Sequence, residues 1–302
     1  VIAPPNTCIA VASAAFHTGY KIRWCDIELD TFNINLDLVP KLLNENTKAV
    51  IVPYFCGTPV KLNRLYNILR RHYNITGKVV RVIEDCAHAF GSKYKGQFIG
   101  AHHKDIDHPH AHSIKCFSFQ AVKVLTCGDG GAIVLPSDKM YEKAKKLRWY
   151  GIDRGQERYS QAVDSMGFKF HMNDIAATVG LANLEDVDSY IGNQISNRQF
   201  YYRELRSLNC TITSTEIAAS GLYPIRVDDL VEFKKFMADN GVEVDRPHGD
   251  LTDHPCLPPA ENLPVAKSTQ IACIPAGWWV TDEDRWRIML LVRRWFAERA
   301  IV

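Results

Sequence analysis

Between Ile22 and Phe119, short runs rich in β-branched and apolar residues alternate with a segment of helical periodicity, and this alternation restricts the fold more than any other feature. Strands are expected over 22–26, 49–55 and 79–85. Between the last two, Leu62, Leu65, Tyr66, Leu69 and Tyr73 recur at helical spacing and mark an amphipathic crossover helix. Strands joined by such a crossover run parallel. Two further runs, 115–119 and 131–135, bracket a polar loop containing glycine. Loops at strand ends are where α/β sheets carry their chemistry.

Beyond Pro136 the texture becomes helical, with Ser137 as a cap and Asn173 opening a helix whose one face carries Ala177, Gly180, Leu181 and Leu184. A long helix over 186–205 connects two domains. A helix over 229–240 ends at Gly241, and a final one over 282–299 is capped by Thr281. The pattern predicts an α/β protein: a large domain over 1–187 with a mainly parallel sheet, and a smaller α/β domain over 188–302. Because Val1 falls inside an apolar strand-like run, the large domain is expected to be incomplete at its N-terminus.

Composition narrows the function. Of 302 residues, 46% are hydrophobic and 23% charged, which suits a globular chain rather than a disordered one. Lys plus Arg (36) nearly balances Asp plus Glu (34) without a basic stripe, so nucleic acid is not an expected partner. No run approaches the length of a membrane helix, and no secretory signal pattern opens the chain, so a cytoplasmic protein with no membrane partner is expected. Nine cysteines without a CxxC pair suggest buried thiols in a reducing compartment, with neither a disulfide framework nor a cysteine zinc site. Between 101 and 114 the chain reads AHHKDIDHPHAHSI. The spacing of His102, His103, His108, His110 and His112 fits no metal motif, so a solvated insertion and no metal site are expected. Trp278 and Trp279 are expected to pack in the small domain rather than to form a sugar platform, although aromatic faces do bind sugars.

Three segments carry chemistry: Glu84-Asp85-Cys86-Ala87-His88 closing one strand, Phe117-Ser118-Phe119-Gln120-Ala121-Val122-Lys123 closing another, and Thr126-Cys127-Gly128-Asp129-Gly130-Gly131. Singly, they read as a helix cap, a packing serine and a solvated lysine. Together they supply what pyridoxal phosphate needs: a lysine for covalent attachment, an acid facing the pyridine nitrogen, and hydroxyl and backbone donors for the phosphate.

These segments resemble the DegT/DnrJ/StrS sugar aminotransferases, a family of pyridoxal-phosphate fold type I. The resemblance extends through Pro5-Asn6-Thr7, DIELDTFN at 26–33, Gly57-Thr58-Pro59, IEDCAHAFG at 83–91, FSFQAVK at 117–123, GDGGAIV at 128–134, GFKFHMNDIAA at 167–177 and Cys273-Ile274-Pro275. It implies that Lys123 attaches the cofactor and shuttles the proton, that Asp85 keeps the pyridine nitrogen protonated, that His88 lies beside the phenolic oxygen and that Ser118 binds the phosphate. Thr7 and Cys8 fall beside the cofactor ring, Cys8 where an aromatic often stacks. Lys169 and His171 replace the usual Asn and Arg in the segment that reaches a neighbouring subunit's site, and Lys169 is expected to meet the phosphate there. The family's Gly-Thr-x-Ala phosphate loop has no counterpart in the sequence. The implied activity is transamination of a nucleotide-linked keto sugar to an amino sugar, with glutamate as donor, by a homodimer. Retention of Lys123 argues against the family's dehydratase branch. The alternative, suggested by Cys8, Lys169 and the absent loop, is a catalytically silent dimeric relative serving as a binding or scaffold protein.

Overall fold

The computed structural model describes residues 1–101, 113–157, 159–212, 216–259 and 262–299, so the histidine-rich segment 102–112 lies outside the described residues. The strands are β1 (Ile2–Ala3), β2 (Arg23–Trp24), β3 (Ala49–Pro53), β4 (Arg81–Asp85), β5 (Lys93–Tyr94), β6 (Gln97–Phe98), β7 (Ile114–Ser118), β8 (Gly131–Val134), β9 (Leu222–Val227) and β10 (Gln270–Pro275). The helices are α1 (Ile9–His17), α2 (Val39–Leu42), α3 (Leu62–Thr76), α4 (Asp138–Leu147), α5 (Asp174–Leu184), α6 (Val187–Leu205), α7 (Leu230–Asp239), α8 (Pro264–Ser268) and α9 (Asp282–Arg299). Six strands form one sheet in the order β2-β1-β3-β4-β7-β8. Its neighbours pair in parallel as far as β7, and β8 closes the edge antiparallel. The mainly parallel α/β sheet expected from the sequence is therefore present, with slightly shorter strands.

Local chemistry accounts for these elements. All five residues of β3 are buried, as in a parallel strand covered on both faces. Helix α3 ends at Gly77, whose φ of 66° is the left-handed conformation that terminates a helix without cost to glycine. Ser137, Asn173 and Asp229 accept hydrogen bonds from the amides of Met140, Ala176 and Glu232, capping α4, α5 and α7. At α9 the cap is reciprocal: Thr281 Oγ1 accepts from the Asp284 amide at 3.1 Å, and the Asp284 carboxylate accepts from the Thr281 amide at 3.1 Å.

The two halves of the chain share one apolar core. Ala3, Phe32, Ile51 and Phe55 belong to the same cluster as Tyr201, Ile225, Ile274 and Trp295, across the boundary expected at 187/188. Asp26 adds a polar tie. Its buried carboxylate accepts from the amides of Ile27 (2.9 Å), Val265 (2.9 Å) and Ala266 (2.8 Å), joining the segment after β2 to the first turn of α8.

One apolar helix face lies uncovered. The face of α5 carrying Ala177, Gly180, Leu181 and Leu184 does not pack inward: Gly180 alone is buried, and Leu181 is 67% exposed. The reason is topological, since β8 is the sheet edge and all four of its residues are exposed, with no layer beyond it among the described residues. Phe168 and Phe170, stacked at 4.8 Å, extend this apolar surface. Among the described residues no helix is long and apolar enough to cross a membrane.

Removing the Asp26 carboxylate strands three amides, two of them at the start of α8. Each buried unsatisfied donor costs about 1–3 kcal/mol, so Asp26→Ala should lose about 2–5 kcal/mol of unfolding free energy in urea titrations, and Asp26→Asn, which keeps one acceptor, distinctly less.

Candidate active site

Strand β4 brings the first site residue to the carboxyl edge of the sheet. It is flanked by β3 and β7, with Asp85 opposite Pro53 on one side and Cys116 on the other. Adjacent residues of a strand point to opposite faces, so Glu84 and Asp85 part company. Glu84 is fully buried, and its carboxylate accepts from the hydroxyls of Tyr54 and Ser113. Asp85 turns toward the site, where Oδ1 accepts from the Ala87 amide at 3.0 Å. Burial raises the Asp85 pKa, opposed by that amide and by the Lys123 ammonium.

Strand β7 ends at Ser118, and a tight turn follows in which the Lys123 amide donates to Gln120 O at 2.9 Å. The returning chain is held by Cys127 N–H to Phe119 O and Phe119 N–H to Gly130 O, both 2.8 Å. Ser118 and Lys123 thereby line the same cavity, about 650 Å³ in volume, with His88 and residues of the C-terminal half. Burial lowers the Lys123 pKa, while Asp85 and, less strongly, the thiols of Cys8 and Cys56 oppose that shift. More of its amine is therefore uncharged near neutrality than for a solvated lysine.

His88 follows Asp85 in the turn leaving β4. A Cβ on Gly57 would stand 2.6 Å from His88 O, so glycine there permits the close approach of the two loops. Its ring stacks on His248 with centroids 5.5 Å apart and planes 12° from parallel. Burial, then the positive charge of Lys123, pushes the His88 pKa down to about 3, and the same two causes lower His248. Both imidazoles stay neutral beside the amine.

The structure thus unites Asp85, His88, Ser118 and Lys123. Cys8 is the residue preceding α1, and its thiol is near enough to influence Lys123; Thr7 beside it is buried. Lys169 is not brought to this cavity: it lies exposed on the outer apolar surface, bridged to Trp149. Trp278 and Trp279 are not packed away as expected, being 42% and 57% exposed, and Trp279 lines the cavity. His248 and Gln194 escaped the sequence reading because each arrives from more than 70 residues beyond Lys123, with no local motif to mark it, and Trp279 was singled out there only as a packing residue.

A mainly parallel α/β sheet, with a lysine in the turn after one strand and a carboxylate at the end of its neighbour, agrees with pyridoxal-phosphate fold type I, the class the resemblance implies. The chain belongs to the DegT/DnrJ/EryC1/StrS aminotransferase family, whose profile matches residues 1–288. It is similar to GDP-perosamine synthase of Escherichia coli O157:H7, with 28% identity over 208 residues covering 69% of this chain and 52% of that one. Among solved structures it is similar to AtS13 from Actinomadura melliaura, with 34% identity and a TM-score of 0.90, covering 97% of this chain and 79% of that one. Sugar aminotransferase CalS13 from Micromonospora echinospora gives the same TM-score and coverage at 29% identity. The chain spans about half the length of the curated relatives it matches.

The residues present fit the cofactor of this class. A half-buried amine, a strand-end hydroxyl and the neutral His88 imidazole line one cavity, with Asp85 coupled to the amine and His248 stacked on His88, and among the described residues none of them is held in an ion pair.

The His88 shift has a measurable signature. An unfolded histidine titrates near 6.5 and the folded one near 3, so between those values the unfolded chain binds the extra proton and stability falls as pH drops. Urea midpoints should decline from pH 7 to pH 5, and His88→Gln should flatten that decline; parallel pH profiles for the two proteins would refute the buried neutral imidazole.

Proposed function

We propose that the protein is a pyridoxal-phosphate-dependent aminotransferase that converts a nucleotide-linked keto sugar to an amino sugar, with glutamate as the amino donor. The observation that carries this reading is the approach of Lys123, in the turn after β7, to Asp85 at the end of β4, with Lys123 lining a cavity large enough for a sugar. Family membership and the similarity to named sugar aminotransferases support it.

When bound, the cofactor supplies a conjugated ring that accepts the electron pair left as a carbon–hydrogen bond breaks, and carries the amino group between donor and acceptor. Lys123 Nζ, whose ammonium is disfavoured by burial, takes the proton from the donor's α-carbon and returns one to the sugar carbon. The Asp85 carboxylate provides the anion that keeps the ring nitrogen protonated. Ser118 Oγ offers a donor to the phosphate from the end of β7. His88 and His248, held neutral, border the reacting amine without adding positive charge that would further suppress its protonated form. Val124 and Leu222 contribute apolar wall to the cavity that Lys123 lines.

We assign the active form as a homodimer. The exposed apolar surface built from β8, α5, Phe168 and Phe170 is the shape of a face that needs a partner. Lys169 lies in the same surface, apart from its own cavity, where it suits the phosphate of a neighbouring site.

Borohydride treatment of the loaded protein should abolish its visible absorbance band and leave a mass addition on Lys123. Lys123→Ala should lose both the band and turnover, and Asp85→Asn should cut turnover by more than about tenfold, the effect of 1.4 kcal/mol on the barrier. Undiminished transamination by Lys123→Ala refutes the assignment.

The shared site has its own test. At limiting cofactor, mixing Lys169→Ala with Lys123→Ala subunits should restore activity, because each mixed dimer then holds one intact site. A fully active monomer excludes the arrangement.

A further inference from the structure

The cavity that holds Lys123 continues along the C-terminal half to a second set of groups that the amine chemistry does not use. Trp279 presents an indole that is 57% exposed on its wall. That ring sits directly over Gly277, where a Cβ would meet three of its carbons at 2.3–2.5 Å, so any side chain at 277 would displace it. The seat is specific to glycine and holds the ring in the opening.

Beside the indole is Gln194 of α6, which lines the same cavity, is only 2% exposed and has no hydrogen-bond partner for Oε1 among the described residues. A Cβ built on Gly221 would be 3.4 Å from Gln194 Nε2 and 3.4 Å from Trp279 Cη2, so the amide and the indole flank one glycine. A buried amide acceptor without a partner costs free energy unless a ligand supplies the donor.

We propose that Trp279 and Gln194 form the nucleobase subsite of the substrate, the indole stacking on the face of the base and the amide pairing with its edge. The inference deepens the nucleotide-sugar reading above and rests on it. A base has the flat π-face that an exposed indole stacks on. Its edge sets a ring N–H donor beside a carbonyl acceptor, which matches the acceptor and donors that one glutamine amide carries side by side. The lining of the C-terminal half argues against a diphosphate there: it includes the carboxylates of Glu243 and Asp284, and its Arg287 already donates to Asn240 O. Phosphates belong nearer Lys123, and the base at the indole.

The test is equilibrium binding of UDP, dTDP and GDP to the cofactor-loaded full-length protein, read by calorimetry rather than turnover. Trp279→Ala should weaken the preferred nucleotide by about tenfold, within the range of one base–aromatic stack, and Trp279→Phe should recover most of that loss. Gln194→Leu should instead compress the differences among the three bases, which loss of packing alone would not do. Gly277→Leu, which crowds the indole out of its seat, should reproduce the Trp279→Ala defect.

Retention of nucleotide affinity within twofold in Trp279→Ala overturns the subsite. So does an equal loss of binding for the free sugar, which would make the indole a sugar platform. If wild type aminates a nucleotide keto sugar while Trp279→Ala keeps its KM, this inference fails and the proposed function stands. If wild type neither binds nucleotides nor aminates, both fall.

Discussion

Strand β4 is hydrogen-bonded on both sides, and its pleat sends two adjacent carboxylates in opposite directions. Glu84 goes into a buried polar knot with Tyr54 and Ser113; Asp85 goes to the side of Lys123. A slip of one residue would set either Asp85 in the knot and Cys86 toward Lys123, or Ile83 in the knot and Glu84 toward Lys123, so one of the two positions would lose its carboxylate. The knot beneath the sheet therefore does for register what no loop contact could: it makes only one pairing of β3, β4 and β7 acceptable.

Above the sheet the electrostatics follow from burial rather than from ion pairing. Lys123, His88, His248 and Arg198 are all drawn toward their neutral forms first by removal from water. Asp85 alone among the nearby carboxylates pulls the other way on Lys123, and is itself pushed upward by its surroundings. Such a site is short of negative charge before any ligand enters. An anionic, phosphate-bearing ligand improves it, which is consistent with a pocket organised around a phosphate and an acid-paired ring.

Much of this was legible in the chain. Periodicity gave the parallel strands and α3, because a buried central strand and an amphipathic helix write their environment into consecutive residues. Caps at Ser137, Asn173, Asp229 and Thr281 were equally visible, since capping is local chemistry. Lys123, Asp85, His88 and Ser118 could be singled out because they fall in short motifs at or just after strand ends that resemble those of the family. What stayed hidden depends on long-range placement. Nothing near Leu181 says that the sheet stops at β8, and nothing near Trp279 says that Gly277 lies flat under its ring or that Gln194 is its neighbour. His248 reaches Lys123 only through the fold.

The tie between Asp26 and the first turn of α8 bears on how relatives of this protein can be recombined. The carboxylate and its two distant amides are separated by 239 and 240 residues, yet they form one cap, inside a core to which both halves contribute. A chimera that takes its C-terminal half from another family member inherits the amides without their acceptor unless the donor sequence also places an acid after β2. The halves are not interchangeable cassettes; the unit of exchange is the α8 turn together with the residue that caps it.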